Sequence, residues 1–219
     1  MAKRARPKSK SKPRPRDAQA TQALLLATAG DEFSARGFDG ARVDEIAERA
    51  RVNKRMIYAY FGDKDGLYLA VLDTHLAQAV ALAKVTGLDP AASPRAEVET
   101  FIRRFFEYMD AHPDFARLLS WEALSGERRG REILVERVRA LFLPLQAVLR
   151  RGVERGELRA GLDPHFFAAA LTALLVGFEN HRSFLESLWQ TDLSAPEARA
   201  RVLDGIVHLL FDGIGASHP

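Results

Sequence analysis

Apolar residues recur at helical spacing along most of the chain, and the pattern is clearest within residues 41–67. Val43, Ile46, Ala47 and Ala50 stand at i, i+3, i+4 and i+7, which places them on one face of a helix. The residues between them are mostly charged and fall on the opposite face. This spacing predicts a short amphipathic helix.

A second short helix is predicted after a turn of a few residues. Asn53 suits its N-cap, because the side-chain oxygen can accept a free backbone N–H. Ile57 and Phe61 stand at i and i+4 and are expected to be buried, whereas cationic and hydrogen-bonding side chains face outward. Two short helices joined in this way are typical of a helix-turn-helix.

The same periodicity predicts helices on both sides of this unit. A helix over residues 17–36, ended by Gly37 in the C′ position, should precede it and support its apolar face. Asp63 is expected to cap a long connecting helix over residues 64–86. Residues 87–94 contain two prolines and a glycine without periodicity, and indicate a linker.

Five further helices are predicted beyond the linker, over residues 95–111, 113–125, 128–155, 164–187 and 196–214. The prediction for the whole chain is therefore an all-α fold.

Two features of these later helices have structural consequences. Pro144 removes a hydrogen bond and should clash with the carbonyl of Ala140, so a kink is expected there. Residues 166–178 are apolar nearly all round, and a helix of that kind must be covered on two sides. A second copy of the chain is the simplest cover for the outer side. The run is too short to span a bilayer, and no membrane association is predicted.

The positive charge is concentrated at the N-terminus. Residues 1–16 contain eight lysines and arginines and no acid, which leaves 24 Lys and Arg against 29 Asp and Glu in the remainder. Such asymmetry favours a polyanion contacted by one end. Pro7, Pro13 and Pro15 should prevent a helix, so a disordered arm is predicted. It is either a solubilising tail or a strand that follows the minor groove or neighbouring phosphates.

Little in the sequence favours catalysis. There is no cysteine, which excludes disulfides and thiolate chemistry and fits a reducing cytoplasm. No apolar run follows the basic start, so no secretory signal is predicted. The six histidines show no metal-ligand spacing with carboxylates, and no nucleophile or phosphate-loop motif is present. No catalytic residue, cofactor or metal site is therefore predicted.

The helix-turn-helix resembles the DNA-binding region of the TetR (tetracycline repressor) family of bacterial regulators. The resemblance extends over about residues 20–75 and is carried by FSARGFDGARVDEIAERA at 33–50 and VNKRMIYAYFGDKDGLYLAVL at 52–72. Its most specific part is the string Ile57–Tyr58–x–Tyr60–Phe61–x–x–Lys64.

Arg51 departs from the family pattern, which usually has glycine in the turn. If that position needs a positive φ, arginine costs about 1 kcal/mol relative to glycine. We expect the turn to form nonetheless, with Arg51 as a candidate phosphate ligand.

The second motif helix provides the predicted DNA contacts. Lys54 and Arg55 can donate to guanine O6 and N7, and Met56 can contact a thymine methyl group. The resemblance implies contacts of Tyr58 with backbone or thymine. It also implies phosphate contacts for Tyr60 and Lys64. Lys64 lies in the first turn of a predicted helix, where a cation opposes the helix dipole unless a phosphate lies beside it. The predicted set is completed by Arg42, Asn53, Arg4 and Arg6.

Aromatic and apolar residues of the later helices form a second candidate site. They either pack as plain core or line a pocket for an apolar or aromatic small molecule, with Glu122, Asn180 and His181 as possible polar partners. The predicted pocket residues are Phe101, Phe105, Met109, Phe115, Trp121, Glu122, Phe142, Leu145, Leu174, Phe178 and His181.

These features together predict a TetR-like transcriptional regulator that binds double-stranded DNA. The expected protein is a homodimeric repressor, released from a pseudo-palindromic operator by a small effector. The resemblance implies a dimer interface formed by the helices at about 164–187 and 196–214. The alternatives are a constitutive DNA-binding protein without effector and an all-helical enzyme with a basic tail. The predicted division is a basic arm (1–16), a DNA-binding domain (17–63), the connecting helix and linker, and a ligand-binding and dimerisation domain (95–219).

Overall fold

Nine α-helices account for most of the chain that the computed structural model describes, residues 15–83 and 92–214. This confirms the predicted all-α fold. The basic arm up to residue 14, with Arg4 and Arg6, and most of the predicted linker lie outside the described residues. The helices are α1 (Pro15–Gly40), α2 (Val43–Arg49), α3 (Lys54–Phe61), α4 (Lys64–Ala83), α5 (Pro94–Ala111), α6 (Pro113–Ser125), α7 (Arg131–Glu154), α8 (Pro164–Trp189) and α9 (Pro196–Ile214).

Local capping determines several helix ends as the sequence predicted. The Asn53 side chain accepts a hydrogen bond from the backbone N–H of Arg55 at 2.9 Å and begins α3. Asp63 accepts one from the backbone N–H of Gly66 at 2.7 Å at the start of α4. Gly37 interrupts the helical geometry of α1 with φ 66° and ψ 179°. The three remaining residues of α1 follow this break.

Other helix boundaries correct the sequence prediction. α1 begins at Pro15, where a helix was predicted only from Asp17, and α5 begins at Pro94, which was assigned to the linker. Proline lacks the N–H that is unpaired in a first helical turn anyway, so these prolines begin helices. The Ser93 hydroxyl caps α5 by accepting from the backbone N–H of Ala96 at 3.2 Å.

α7 begins at Arg131, three residues later than predicted. Gly126 and Glu127 both have positive φ, so a turn occupies the residues between α6 and α7. Pro144 lies inside α7, which continues on both sides of it.

The helices enclose two apolar cores. The first contains residues of α1 to α3 and the first half of α4, with Phe33 and Tyr68 in edge-to-face contact at 4.9 Å. The second is larger and is formed by the rest of α4 with α5 to α9. Leu118 of α6 is fully buried in the first core although its helix belongs mostly to the second. α4 and α6 therefore join the two cores.

α6 also contacts α1 through Trp121. Its indole Nε1–H donates to the carbonyl oxygen of Ser34 at 3.1 Å. A Cβ atom at Gly37 would lie 2.9 Å from Cδ2 of Trp121. Glycine is therefore required at this position for two reasons: its positive φ and its close approach to the indole ring.

We predict that Gly37→Ala lowers the free energy of unfolding by about 3 kcal/mol or more, because both the backbone and Trp121 must shift. Gly126 also has positive φ, but a Cβ there would meet nothing within 4 Å. Gly126→Ala should therefore cost only about 1 kcal/mol. Urea denaturation of both variants measures the difference. Equal losses would show that contact with Trp121 contributes nothing.

Candidate DNA-binding interface and internal cavity

α2 and α3 form a compact helix-turn-helix around a small apolar contact. Ile46 and Ile57 are fully buried, and Ala47 lies beside them. The turn is closed by backbone hydrogen bonds from Arg51 N–H to the Glu48 oxygen and from Val52 N–H to the Ala47 oxygen, both 3.0 Å. These two bonds are those of a Schellman motif, which ends a helix with one left-handed residue.

Arg51 is that left-handed residue, with φ 55°. This position therefore does need a positive φ, and the turn forms with arginine in place of the glycine that is usual in the family. The Arg51 side chain is exposed beside the N-terminus of α3.

α3 presents a mixed polar surface to solvent. Arg55 and Tyr58 are exposed, and Met56 and Tyr60 are half-buried. Arg42, the residue that precedes α2, is exposed as well. The structure thus leaves hydrogen-bonding groups of α3 accessible, as a helix that enters the major groove requires.

Lys54 is already engaged within the protein. Its ammonium group lies 2.7 Å from Oδ1 of Asp44 and 5.9 Å from the ring centre of Tyr58. The hydrogen bond to Asp44 raises the pKa of Lys54. A contact between Lys54 and DNA therefore requires the ammonium group to exchange or share this partner.

Lys64 is also held by a contact that the sequence did not reveal. Its Nζ lies 4.5 Å from the ring centre of Phe38, a cation–π distance. The same ring lies 3.7 Å from the guanidinium carbon of Arg129. Arg129, in the turn between α6 and α7, also lies 3.3 Å from a carboxylate oxygen of Asp39 and of Asp65. No local pattern marks Arg129, because its partners are distant in sequence.

A cavity of about 1000 Å³ lies between α6, α7 and α8. Leu76 of α4 and Phe105 of α5 also reach it. Its lining is mainly apolar, and the polar side chains of Ser120, Gln146 and Asn180 are among the exceptions. Asn180 donates a hydrogen bond to the Ser120 hydroxyl, so these two polar groups already meet at the wall.

The structure brings part of the predicted pocket into this cavity: the lining includes Phe105, Phe115, Glu122 and Phe142. The other predicted residues are not among those that line it. Three are buried core residues, Phe101, Met109 and Leu145. Leu174 and Phe178 pack against the same core, Trp121 contacts α1, and His181 is exposed with Nδ1 2.8 Å from the Gly177 oxygen. Helical spacing could not show which face of each helix borders the cavity.

Glu122 lies between this cavity and the first core. Its carboxylate is buried and accepts hydrogen bonds from the Tyr68 hydroxyl at 2.7 Å and from the Gly130 backbone N–H at 2.8 Å. Burial and the neighbouring carboxylate raise the pKa of Tyr68, so the phenol keeps its proton and donates. Glu122 thus connects the cavity wall to α4.

α8 and α9 leave apolar side chains exposed. Phe167, Leu171 and Leu175 of α8 face the core, whereas Phe166 is 77% exposed and Phe184 is 63% exposed. Leu209 of α9 is 62% exposed. A Cβ at Gly177 would meet nothing within 4 Å, so the backbone of α8 is open there. None of the described helices has the length and hydropathy needed to cross a membrane.

A capped helix-turn-helix with an accessible second helix, carried on an all-helical body, defines a DNA-binding regulator. Comparisons with known proteins agree. Residues 25–71 match the family described as bacterial regulatory proteins, tetR family, and residues 94–210 match the tetracyclin repressor-like C-terminal domain. The chain therefore belongs to the TetR family and is a transcriptional regulator.

Its relatives include proteins named as transcriptional repressors. The chain is 36% identical to the HTH-type transcriptional repressor SCO4008 of Streptomyces coelicolor, over 75% of this chain and 79% of the relative. It is 31% identical to the repressor NicS of Pseudomonas putida, over 90% and 93%. The solved structure of the ketosteroid transcriptional regulator KstR2 of Mycobacterium tuberculosis shares the fold, with a TM-score of 0.69 at 21% identity over 90% and 95%.

We predict that Arg51→Gly raises the free energy of unfolding by about 1 kcal/mol, because glycine adopts a positive φ without a Cβ clash. Gln190 ends α8 in the same left-handed region, with φ 51°, so Gln190→Gly is the matched control and should give a similar gain. Urea denaturation measures both. A gain at Gln190 without one at Arg51 would mean that the turn is strain-free with arginine.

Proposed function

We propose that this regulator acts as a homodimeric repressor that leaves a pseudo-palindromic operator when a small apolar or aromatic molecule binds. The observation that carries the proposal is the position of the cavity. One wall of it is α6, whose Glu122 is hydrogen-bonded to Tyr68 of α4. α4 in turn directly follows the recognition helix α3.

The proposed base contacts come from the accessible face of α3. Arg55 and Lys54 donate to guanine, and Met56 contacts a thymine methyl group. Tyr58 contacts thymine or the sugar-phosphate backbone. The Asn53 side chain keeps its hydrogen bond from the backbone N–H of Arg55, which fixes the start of α3.

Phosphate contacts position the protein without selecting sequence. We assign this role to Arg42 before α2, Arg51 in the turn, Tyr60 of α3 and Lys64 at the start of α4. Arg4 and Arg6 of the basic arm add non-specific affinity through counterion release.

The dimer is proposed to form through α8 and α9. Phe166, Phe184 and Leu209 expose large apolar side chains to water. An exposed apolar patch of this kind marks an interaction site. A two-fold dimer would place the recognition helices about 34–36 Å apart, one duplex turn.

The effector is proposed to fill the cavity between α6, α7 and α8. An apolar lining with few polar groups selects an apolar molecule and orients it by one or two hydrogen bonds. Glu122 then acts as the connection to Tyr68. To release the protein from the operator, the effector must bind the conformation that does not bind DNA more tightly than the other, by about a few kcal/mol.

We predict that Arg55→Ala changes which operator sequences are preferred, because it removes a base contact worth about 1–3 kcal/mol. Lys64→Ala should weaken binding to all sequences alike and flatten the salt dependence, since it removes a phosphate contact. Selection from a random duplex pool, followed by gel shifts at two salt concentrations, measures both. Arg55 has no base-reading role if its loss lowers affinity equally on every sequence.

We predict that Phe184→Glu converts the dimer to monomer at micromolar concentration, because it places a charge in an apolar interface. Leu124→Glu is the matched control: Leu124 is 80% exposed on α6, which is not one of the proposed interface helices, and its replacement should leave the dimer intact. Analytical ultracentrifugation gives the dissociation constant. A dimer unaffected by Phe184→Glu would place the interface elsewhere.

We predict that effectors found by thermal-shift screening of aromatic compounds lower operator affinity. Val138→Trp fills the cavity and should abolish the thermal shift, whereas Leu124→Trp should keep it. Circular dichroism checks that both variants fold. A shift that survives Val138→Trp would place the ligand outside the cavity. A regulator with no responsive compound in a broad panel would support the constitutive alternative.

A further inference from the structure

A second group of polar side chains gathers away from the DNA-binding interface. It consists of His75 on α4, His112 between α5 and α6, and Asp114 in the first turn of α6. One ligating atom of each lies within 4.8 Å of the others, and all three residues are half-buried. Neither the recognition surface nor the cavity uses these residues. Sequence spacing concealed the group, because His75 comes from a different helix.

The distances suit a small ion. Nε2 of His75 and Oδ2 of Asp114 are 3.0 Å apart. Two ligands of a tetrahedral zinc ion, with bonds of about 2.0–2.1 Å, stand about 3.3 Å apart. A ring nitrogen of His112, within 4.8 Å of both, completes the triangle after a small side-chain rotation. The first pair is hydrogen-bonded and has to move apart only slightly to reach ligating separation.

Tyr108 orients the His75 imidazole. The Tyr108 hydroxyl donates to the His75 backbone oxygen at 2.9 Å, so its own oxygen can accept from His75 Nδ1–H at 3.3 Å. Nε2 faces Asp114 Oδ2 at 3.0 Å, a hydrogen-bond distance, and a bound ion would replace the proton of this contact. A metal-ligating histidine usually donates its other ring N–H in this way, which fixes both tautomer and orientation.

Aromatic rings hold the two imidazoles in place. His75 is stacked on Phe115 with ring centres 5.4 Å apart, and His112 lies against Tyr108 at 4.5 Å. The side chains of His75 and Asp114 are 12% and 25% exposed, so the site is restrained but open to solvent. An ion and a water ligand can therefore enter.

We propose that His75, His112 and Asp114 form a site for a divalent transition-metal ion, with Zn²⁺ as the best-suited ion and water as the fourth ligand. Two imidazoles and one carboxylate form a donor set that zinc accepts when one coordination position stays open. Calcium and magnesium favour all-oxygen ligand sets, so they should not compete. The bound ion would tie α4 to the junction of α5 and α6.

The test is metal binding by the full-length chain without a histidine tag. Equilibrium dialysis against Zn²⁺ and titration with Co²⁺, followed by its visible absorption, should show one bound ion per chain with tetrahedral character. Zn²⁺ should also raise the thermal unfolding midpoint, because it binds only the folded arrangement. Mg²⁺ should produce neither effect.

Three variants decide whether the site is the proposed one. His112→Ala and Asp114→Asn should each weaken Zn²⁺ binding at least about tenfold. His165→Ala is the matched control, since His165 pairs with Asp163 at 3.2 Å on the exposed start of α8, and it should leave Zn²⁺ binding unchanged. Circular dichroism verifies folding of each variant. The proposal fails if the wild-type chain binds no ion, or if all three variants bind as it does.

Discussion

The packing of α6 against α1 and α4 is the interaction on which the rest of the structure depends. Leu118 is buried in the first core, Trp121 donates to the Ser34 carbonyl, and Glu122 accepts from Tyr68. The same helix walls the cavity. Leu118 and the Glu122–Tyr68 hydrogen bond are buried, so a movement of α6 would change the packing that supports the DNA-binding helices. α6 therefore borders both the cavity and the core that supports α3.

α4 contacts distant parts of the chain at two points along its length. At its start, Lys64 and Arg129 both approach the Phe38 ring, so two cations from different parts of the chain meet beside the recognition unit. Farther along, His75 meets His112 and Asp114. The helix that follows the recognition helix is therefore restrained by the turn between α6 and α7 and by the junction of α5 and α6.

Local interactions made much of the fold predictable. The caps at Asn53 and Asp63 depend on side chains within three residues of their partners, and both were identified correctly. Pro15 and Pro94 were misjudged because proline excludes the helix interior yet suits the first turn. The pocket was predicted only in part, since aromatic residues on one helix either fill the core or border the cavity. How each helix is rotated about its axis in the packed structure decides whether a given aromatic residue fills the core or borders the cavity.

The sequence by itself determined the all-α class, the helix-turn-helix and its family, because helical periodicity, caps and the motif string are local features. The sequence raised a positive φ at Arg51 only as a condition, and the structure showed that the condition holds. Only the tertiary structure decided which residues line the cavity, that Glu122 is bound to Tyr68, and that His75 meets His112. The reason is physical: these contacts join side chains tens of residues apart, and their distances depend on how whole helices pack rather than on spacing within one helix.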